Sequence, residues 1–304
     1  MGLQYLPNEQ IDRLKWDKCI FTAGNGLIYA CSFYLDKMAS HWDALVLNDY
    51  EMVMPLTWNK KYGFYYLYQP PFTPCLGVFG NNITTDILHQ FLGSVPSKFR
   101  YWDISLNQGN SFPLKGFNLY QRVNYVLDLE KPYEDLSGEY RDNIKRNIKK
   151  SEQAGLIFKT AINPAEVVAL AKKQAAGFSL LKQNDFDRLL DLYTVLNKKE
   201  QAVSYGIYSP SGQLMASALF FFYQNRACYI LVGNHPDGKT IGASHALIDA
   251  FIKDHAGKEL LLDFEGSDIA SLAFFYSSFG AKEENYTALQ MNRLPILLKW
   301  LKKN

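Results

Sequence analysis

Long apolar runs are absent from this chain of 304 residues, since no segment approaches the roughly 18 apolar residues that a membrane-spanning helix needs. The first residues also lack the basic start and apolar run of a secretory signal. The cysteines have neither C-x-x-C spacing nor a companion histidine cluster, which argues against a zinc site or a disulfide framework: Cys19, Cys31, Cys75 and Cys228. We therefore expect a cytoplasmic protein with no metal site and no integral membrane segment.

A large net charge is also lacking, because the formal charge is only +2. No global signal therefore indicates a nucleic-acid binder, and electrostatic recognition must come from a local patch. Hydrophobic residues make up 48% and charged residues 20%, which is typical of a globular protein with a sizeable core. The length fits two domains of about 150 residues each.

The first half of the chain alternates short apolar runs with turn residues and then becomes helical. It predicts strands at 53–58 and 63–68, a loop at 69–80, a helix at 83–95 and a strand at 100–107. The loop QPPFTPCLGVFG is rich in proline and glycine, whereas the helix has apolar residues spaced along one face. This order of elements indicates an α/β or α+β module.

The second half repeats this order of elements without a repeat at the level of residues. It predicts a strand at 122–129, helices at 137–155, 164–178 and 183–199, strands at 203–209, 214–223 and 226–233, a helix that opens at 242–244, a strand at 259–267, a helix at 268–281 and a strand at 286–292. A composition change near Arg122 leads us to place a domain boundary close to residue 125.

A glycine-bearing turn joins the strand that ends at Gly233 to the helix that opens at Gly242. The first N–H groups of a helix have no intrahelical partner, and small residues there let a phosphate approach the backbone. The helix dipole favours negative charge at this end, and Lys239 adds a cation. An ordinary turn with a helix cap is the alternative explanation of the same residues.

The helix one strand later carries a more specific pattern. It resembles the A-x-x-Y-x-x-F-G-A/F segment of GNAT acyltransferases through Ala273, Tyr276, Phe279, Gly280 and Ala281. The turn is similar to the Q/R-x-x-G-x-G/A pyrophosphate loop of the same proteins through Lys239, Gly242 and Ser244. Lysine stands where that loop has Gln or Arg, and serine stands where it has a smaller residue.

Three further segments resemble Fem-like peptidyltransferases, which are tandem GNAT proteins. The stretch LLLDFEGSD, with Asp263, Glu265, Gly266 and Ser267, is similar to their DF-x-G strand end. YRDNIKRNIKKSEQAGL is similar to their Y-R-x-x-I-K-R-x-I-K-K-A helix, and YLYQPPFTPCLGVF to their Q-P-F-x-Q-x-L-G loop. The resemblance implies an α/β (α+β) fold of two tandem GNAT-like domains, each a mixed central sheet flanked by helices.

The implied domains are residues 1–125 and residues 126–290, with 291–304 as a candidate return to the first. The resemblance places the donor site in the second domain, where it assigns to cofactor binding the following residues: Leu231, Val232, Gly233, Lys239, Thr240, Ile241, Gly242, Ala243 and Ser244. Their ligand would be acetyl-CoA or another acyl-CoA, with the acyl carbonyl held by the backbone at 231–233. Aminoacyl-tRNA is the alternative donor.

Acyl transfer to an amine needs a base that keeps the nucleophile neutral and an acid for the leaving group. Tyr276 stands at the tyrosine position of the family, which implies the acid, although it also fits an aromatic packing stripe. Asp263 and Glu265 are spaced i and i+2 at a strand end, so both can project into one cleft. Glu265 is the preferred base, and a solvated strand end is the alternative for both carboxylates.

Cations recur at three- and four-residue spacing and predict a basic stripe on one helix: Arg141, Lys145, Arg146, Lys149 and Lys150. The stripe suits the phosphates of a tRNA, of coenzyme A or of a lipid-linked or nucleotide-linked acceptor, with a solvated helix face as the alternative. We also assign to substrate binding Gln69 and Phe72 of the aromatic loop and His235 beside the turn, for which packing or exposure is the alternative.

Three functions are compatible with these features. The preferred one is transfer of an acyl group from acyl-CoA to a small-molecule or peptide amine. The second is aminoacyl-tRNA-dependent extension of a peptidoglycan precursor, with tRNA contacting the basic stripe. The third is a degenerate GNAT pair that binds a ligand without catalysis. The sequence shows no long helical-hairpin insertion of the kind that some tRNA-using relatives carry, which favours coenzyme A.

Overall fold

The computed structural model describes residues 2–175, 181–266 and 268–295. These residues form two compact units: one contains the residues up to Arg122 and those from Asn285 onward, and the other spans Val123–Glu284. Helices and mixed β-sheet occur in both, which confirms the predicted α/β class. Three predictions reach outside the described residues: Ser267, the end of the helix at 164–178 and most of 291–304.

The first unit contains β1 (Leu3–Leu6), α1 (Arg13–Thr22), α2 (Ser32–Met38), β2 (His41–Leu47), β3 (Met52–Lys61), β4 (Phe64–Tyr68), β5 (Phe79–Gly80), α3 (Thr85–Gly93) and β6 (Phe99–Ser105). Short 3-10 turns lie at Asn8–Gln10, Ile28–Ala30 and Gln108–Asn110. The strand order is β1, β2, β3, β4, β6 and then the last part of β13 (Lys282–Asn292), with β5 beside β3. β4 and β6 are parallel.

The sequence predicted the strands β3, β4 and β6 and the helix α3, but it missed the elements before β3. The helix α1 explains why. Trp16 and Ile20 are buried, whereas Leu14 and Phe21 are 85% and 64% exposed, so the apolar residues of α1 do not lie on one face. A helix without one apolar face gives no periodic signal.

The second unit contains β7 (Asn118–Asp128), which begins in the first unit, followed by α4 (Tyr133–Gly138), α5 (Asp142–Gln153), β8 (Ile157–Thr160), α6 (Pro164–Gln174), α7 (Gln183–Asn197), β9 (Ala202–Tyr208), β10 (Leu214–Tyr223), β11 (Arg226–Asn234), α8 (Pro236–Thr240), α9 (Ala243–His255), β12 (Leu261–Asp263) and α10 (Ala270–Ser277). The strand order is β7, β12, β11, β10, β9, β8. β11 and β12 are parallel, and the other neighbouring pairs are antiparallel.

The helix predicted at 137–155 is in fact two helices, α4 and α5. Tyr140, between them, is buried and packs edge-on against the ring of Phe279, with 5.3 Å between ring centroids. Arg141 has an extended backbone, and its N–H donates to the carbonyl oxygen of Ser278. The packing of Tyr140 and this tertiary hydrogen bond therefore interrupt a segment whose composition favours one helix. α8 is a further helix that the sequence did not predict.

Helices cover both faces of the second sheet. Phe220 of β10 stacks on Phe251 of α9, with ring centroids 3.9 Å apart. The next residue, Phe221, meets Tyr193 of α7 at 6.5 Å. Because successive strand residues point to opposite faces, α9 and α7 cover opposite sides of the sheet.

α5 and α9 approach each other closely at Gly242. This glycine precedes α9 with a left-handed backbone, φ +78°. A Cβ atom at this position would lie 2.2 Å from the carbonyl oxygen of Asn147 in α5. Gly242 therefore serves helix packing, because only a residue without a side chain leaves room for the backbone of α5.

Gly242→Ala is expected to destabilise the protein more than Gly257→Ala does. Gly257 has the same backbone, φ +77°, but a Cβ there would meet nothing within 4 Å. The left-handed conformation costs alanine about 1–2 kcal/mol at either position. Only Gly242→Ala also overpacks a helix contact, which adds about 1–3 kcal/mol. Urea unfolding midpoints measure the difference, and equal midpoints for the two variants would contradict the close packing.

Candidate functional site

The strands β11 and β12 run side by side for only a short distance. Residues 226–228 pair with residues 261–263. Beyond residue 228, β11 no longer pairs with β12. The chain after β12 remains hydrogen-bonded to β7, since the N–H of Phe264 donates to the carbonyl oxygen of Tyr125. A wedge therefore opens between the second half of β11 and residues 264–266.

A β-bulge interrupts β11 where the wedge begins. The register between β10 and β11 shifts at Ile230, which is the extra residue. A bulge bends its strand and changes the direction of its backbone groups. Leu231, Val232 and Gly233 follow the bulge and lie along the wedge. Gly233 also packs against α6, where a Cβ would lie 2.6 Å from the backbone nitrogen of Ala171.

Glu265 lies on the opposite side of the wedge. Its φ is +62°, a left-handed conformation that is uncommon outside glycine. Its Oε1 atom is shielded from solvent and has no hydrogen-bond partner among the residues that the structure describes. Burial raises the pKa of this carboxyl well above its usual range, because the ionised form loses its hydration. Such a carboxyl is a candidate general base.

Tyr276 of α10 is buried beside Glu265. Its ring stacks on Phe264 at 4.5 Å between centroids and meets Tyr229 edge-on at 6.5 Å. Burial raises the pKa of Tyr276 to about 12, and the nearby carboxylate of Glu265 contributes to this increase. Tyr276 is therefore protonated at neutral pH and can donate a proton. The structure thus brings together two of the three predicted catalytic residues.

Asp263 has a different environment. Its carboxylate accepts hydrogen bonds from Arg226 at 2.6 Å, from the side chain of Asn124 at 2.9 Å and from the N–H of Glu265 at 2.8 Å. Arg226 also forms an ion pair with Glu284 at 2.9 Å. The catalytic assignment of Asp263 stays a prediction, and these contacts favour a supporting role.

The start of α9 is partly covered by protein. Gly242 and Ala243 are buried, and Asn147 of α5 occupies the space beside Gly242. The hydroxyl of Ser244 donates to the side-chain oxygen of Asn234 at 2.6 Å. The predicted phosphate site at this helix start therefore has limited access to the backbone.

An open cavity of about 680 Å³ lies between α6, α8 and the neighbouring ends of β10 and β11. Two predicted ligand residues, His235 and Lys239, line it together with Lys173 of α6. Thr240 is exposed and Ile241 packs at the margin of the core, so these two assignments have no direct support from the cavity.

The predicted basic stripe lies on the exposed face of α5. Ile144 and Ser151, on the opposite face of the helix, are buried. The exposed cations are Lys145, Arg146, Lys149 and Lys150. Within the described ranges, no acidic group forms an ion pair with any of these four. Arg141 is also exposed, and its guanidinium carbon lies 5.1 Å from the centre of the Phe274 ring.

The predicted loop residues Gln69 and Phe72 belong to the first unit, whereas the wedge belongs to the second. The side-chain oxygen of Gln69 accepts the N–H of Ser105 at 3.1 Å. Phe72 has a left-handed backbone, and its carbonyl oxygen accepts the hydroxyl of Tyr34. Their role in acceptor binding stays a prediction.

Sequence reasoning missed three residues that support the wedge or line it: Asn124, Arg226 and Tyr229. Asn124 and Arg226 are polar residues in strands that are otherwise mostly apolar, and this contrast is the signal that would have indicated them. Tyr229 carries no such signal, because it is one of 20 tyrosines and looks like any core aromatic.

The described residues contain neither a membrane-spanning helix nor a metal-binding cluster. None of their helices is long and apolar enough to cross a membrane. Over the same residues, no group of three or more His, Cys, Asp or Glu side chains is arranged to hold a metal ion.

Comparison with known proteins identifies the second unit. Residues 138–268 match the family model of the acetyltransferase (GNAT) domain. No curated protein sequence matches the chain.

Solved structures are similar over most of the chain. A crystal structure of FemX is 12% identical over 100% of both chains, with a TM-score of 0.70. A conserved protein of unknown function from Bacteroides thetaiotaomicron is 11% identical over 91% of this chain and 96% of its own, with a TM-score of 0.58. L-PGS from Bacillus licheniformis is 13% identical over 86% and 87%, with a TM-score of 0.53. At such identities the likeness concerns the fold. Residues 138–268, which contain both sides of the wedge, therefore match the acetyltransferase (GNAT) domain, and the fold of this chain is similar to that of FemX.

Proposed function

We propose that this protein transfers an acyl group to an amine acceptor at the wedge between β11 and residues 264–266. One observation carries the proposal: two ionisable groups with complementary tasks lie side by side there. Glu265 has a carboxyl oxygen without a partner among the described residues, and Tyr276 keeps its proton at neutral pH. The GNAT domain supports acyl transfer as the reaction class.

The proposed reaction uses these groups in turn. Glu265 accepts a proton from the amine as its nitrogen attacks the carbonyl carbon of the acyl group. Negative charge then develops on the carbonyl oxygen, where backbone N–H groups at 231–233 would stabilise it. The bond to the leaving group breaks, and Tyr276 gives its proton to the leaving sulfur or oxygen. Solvent returns the proton from Glu265 to Tyr276.

The donor that we propose is acetyl-CoA or another acyl-CoA. The edge of β11 beyond the bulge is free of β12, so an extended ligand has backbone groups to bind. Asn147 packs against Gly242 at the start of α9. We therefore propose that the phosphates of coenzyme A are bound by side chains such as Lys239 more than by the first N–H groups of α9. The acceptor would be a small-molecule or peptide amine.

Glu265→Gln is expected to lower the acyl-transfer rate by about 10²–10⁴-fold, because glutamine has a similar shape but cannot accept the proton. Release of free coenzyme A from acetyl-CoA in the presence of a panel of amines measures the rate. Tyr276→Phe, which keeps the ring stacked on Phe264, is expected to lower it as well. Tyr193→Phe removes a buried hydroxyl on the other face of the sheet and should leave it unchanged. Full activity of Glu265→Gln would reject Glu265 as the base.

The same variant has a second, independent readout in stability. Because the folded state raises the pKa of Glu265, the folded protein binds this proton more tightly than the unfolded chain does. The contribution of Glu265 to stability is therefore fully present below its unfolded pKa of about 4.5 and is lost as the pH rises above that value. Glu265→Gln is expected to melt at a temperature that exceeds the wild-type value by more at pH 8 than at pH 5. A constant difference would show that the carboxyl is not buried in this way.

Donor binding can be tested without knowing the acceptor. Coenzyme A and acetyl-CoA are expected to raise the melting temperature, since a ligand at 100 times its Kd stabilises the native state by about 2.7 kcal/mol. Lys239→Ala should weaken this shift, whereas Lys198→Ala, at the end of α7, should not. An unchanged melting curve with both ligands at millimolar concentration would reject acyl-CoA as the donor.

Aminoacyl-tRNA is the second candidate donor, and the exposed cations of α5 favour it. Its acceptor would be a peptidoglycan precursor. If tRNA is the donor, the triple change of Lys145, Arg146 and Lys149 to Ala should weaken aminoacyl-tRNA retention on a filter and make it less sensitive to salt. The matched control changes Lys60, Lys61 and Lys115 of the first unit. Equal retention by both triple variants would remove the stripe as a tRNA contact.

A further inference from the structure

The backbone conformation of Glu265 needs support from its surroundings. A non-glycine residue with φ +62° is strained relative to an ordinary conformation, because its Cβ atom lies too close to the backbone. Such a conformation persists only where neighbouring contacts hold it. The contacts on both sides of Glu265 therefore determine where its carboxyl points.

Two buried side chains hold the peptide groups that flank Glu265. The carboxylate of Asp263 accepts the N–H of Glu265 at 2.8 Å. The side-chain oxygen of Asn124, in β7, accepts the N–H of Gly266 at 2.6 Å. Both side chains are almost fully buried, with exposed fractions of 3% for Asp263 and 5% for Asn124. Water therefore does not compete for these two hydrogen bonds.

These two side chains also hold each other. The side-chain nitrogen of Asn124 donates to Asp263 at 2.9 Å and to Glu284 at 3.4 Å. Arg226 bridges the two carboxylates, at 2.6 Å from Asp263 and 2.9 Å from Glu284. Asn124 thus uses its nitrogen to fix its own orientation and its oxygen to fix residue 266.

We infer that Asn124 is a positioning residue that holds Glu265 in its left-handed conformation and so keeps the carboxyl of Glu265 beside Tyr276 in the wedge. The inference rests on the proposed function only for the role of Glu265 as the base. The alternative is that Asn124 merely stabilises the junction between β7 and β12. That alternative predicts a loss of stability without a change in the environment of Glu265.

The test combines a rate with a titration. Asn124→Ala is expected to lower kcat about 10–100-fold with KM for acetyl-CoA within about twofold, because the base loses its position but the donor site does not change. In ¹³C NMR of carboxyl-labelled glutamate, assigned by the signal that Glu265→Gln removes, the titration of Glu265 should move toward 4.5. The carboxyl then relaxes toward solvent and away from Tyr276.

Asn107→Ala is the matched control. Asn107 is a fully buried asparagine of the first unit, and its side-chain nitrogen holds the carbonyl oxygens of Leu76 and Val78 at 2.9 and 3.1 Å. Its replacement should lower stability to a similar extent but leave both kcat and the Glu265 titration unchanged. Should Asn124→Ala fail to fold, Asn124→Ser also withdraws the amide oxygen from the N–H of Gly266 while leaving a hydroxyl that can donate to Asp263, and it is expected to move the pKa of Glu265 in the same direction as Asn124→Ala.

The two readouts separate the two hypotheses. If the pKa of Glu265 in Asn124→Ala equals that of the wild-type protein, the positioning role is overturned, whatever the value of kcat. A shifted titration in a protein that transfers no acyl group would reject the proposed function and leave the positioning role intact. A shift of the same size in Asn107→Ala would assign the effect to general loss of stability and would also overturn the inference.

Discussion

The separation of β11 from β12 is the constraint on which the site depends. Parallel strands normally stay paired along their length, and a backbone edge that leaves its partner must find other hydrogen bonds or a ligand. Here the chain after β12 finds its partners in Tyr125 and Asn124 of β7. The second half of β11 is left with one edge that no described strand uses. The bulge, the half-buried glutamate and the tyrosine all lie around this opening.

Local sequence predicted most elements of the second unit, because strands rich in Phe, Leu and Val and helices with one apolar face carry their own signals. It failed where a distant contact decides the conformation. Tyr140 packs on Phe279, far along the chain, and this contact divides one predicted helix into two. The prediction missed α1 for another reason, since the apolar residues of this helix do not lie on one face.

The residues of the candidate site also divide into those that local sequence indicated and those whose roles depend on distant contacts. The resemblance to GNAT proteins was enough to select Glu265 and Tyr276, which the structure brings together. The sequence favoured Glu265 as the base but also assigned Asp263 to catalysis, since both stand at the same strand end. The difference comes from Arg226 and Asn124, whose positions beside Asp263 depend on the pairing of three strands. Gly233 and Gly242 also fitted a phosphate loop in the sequence, yet in the structure α6 and α5 pack against them.

The contact between Asn147 and Gly242 has a consequence for the exposed face of α5. A carbonyl oxygen that fits beside one glycine fixes both the rotation and the axial position of the helix, since a shift by one residue would bring a side chain into that space. The backbone that carries the lysines and the arginine on the outer face of α5 is therefore fixed in position relative to α9. The Cα atoms that carry these side chains are therefore set at fixed intervals, and the flexible side chains let the charges adjust around those intervals to a polyanion.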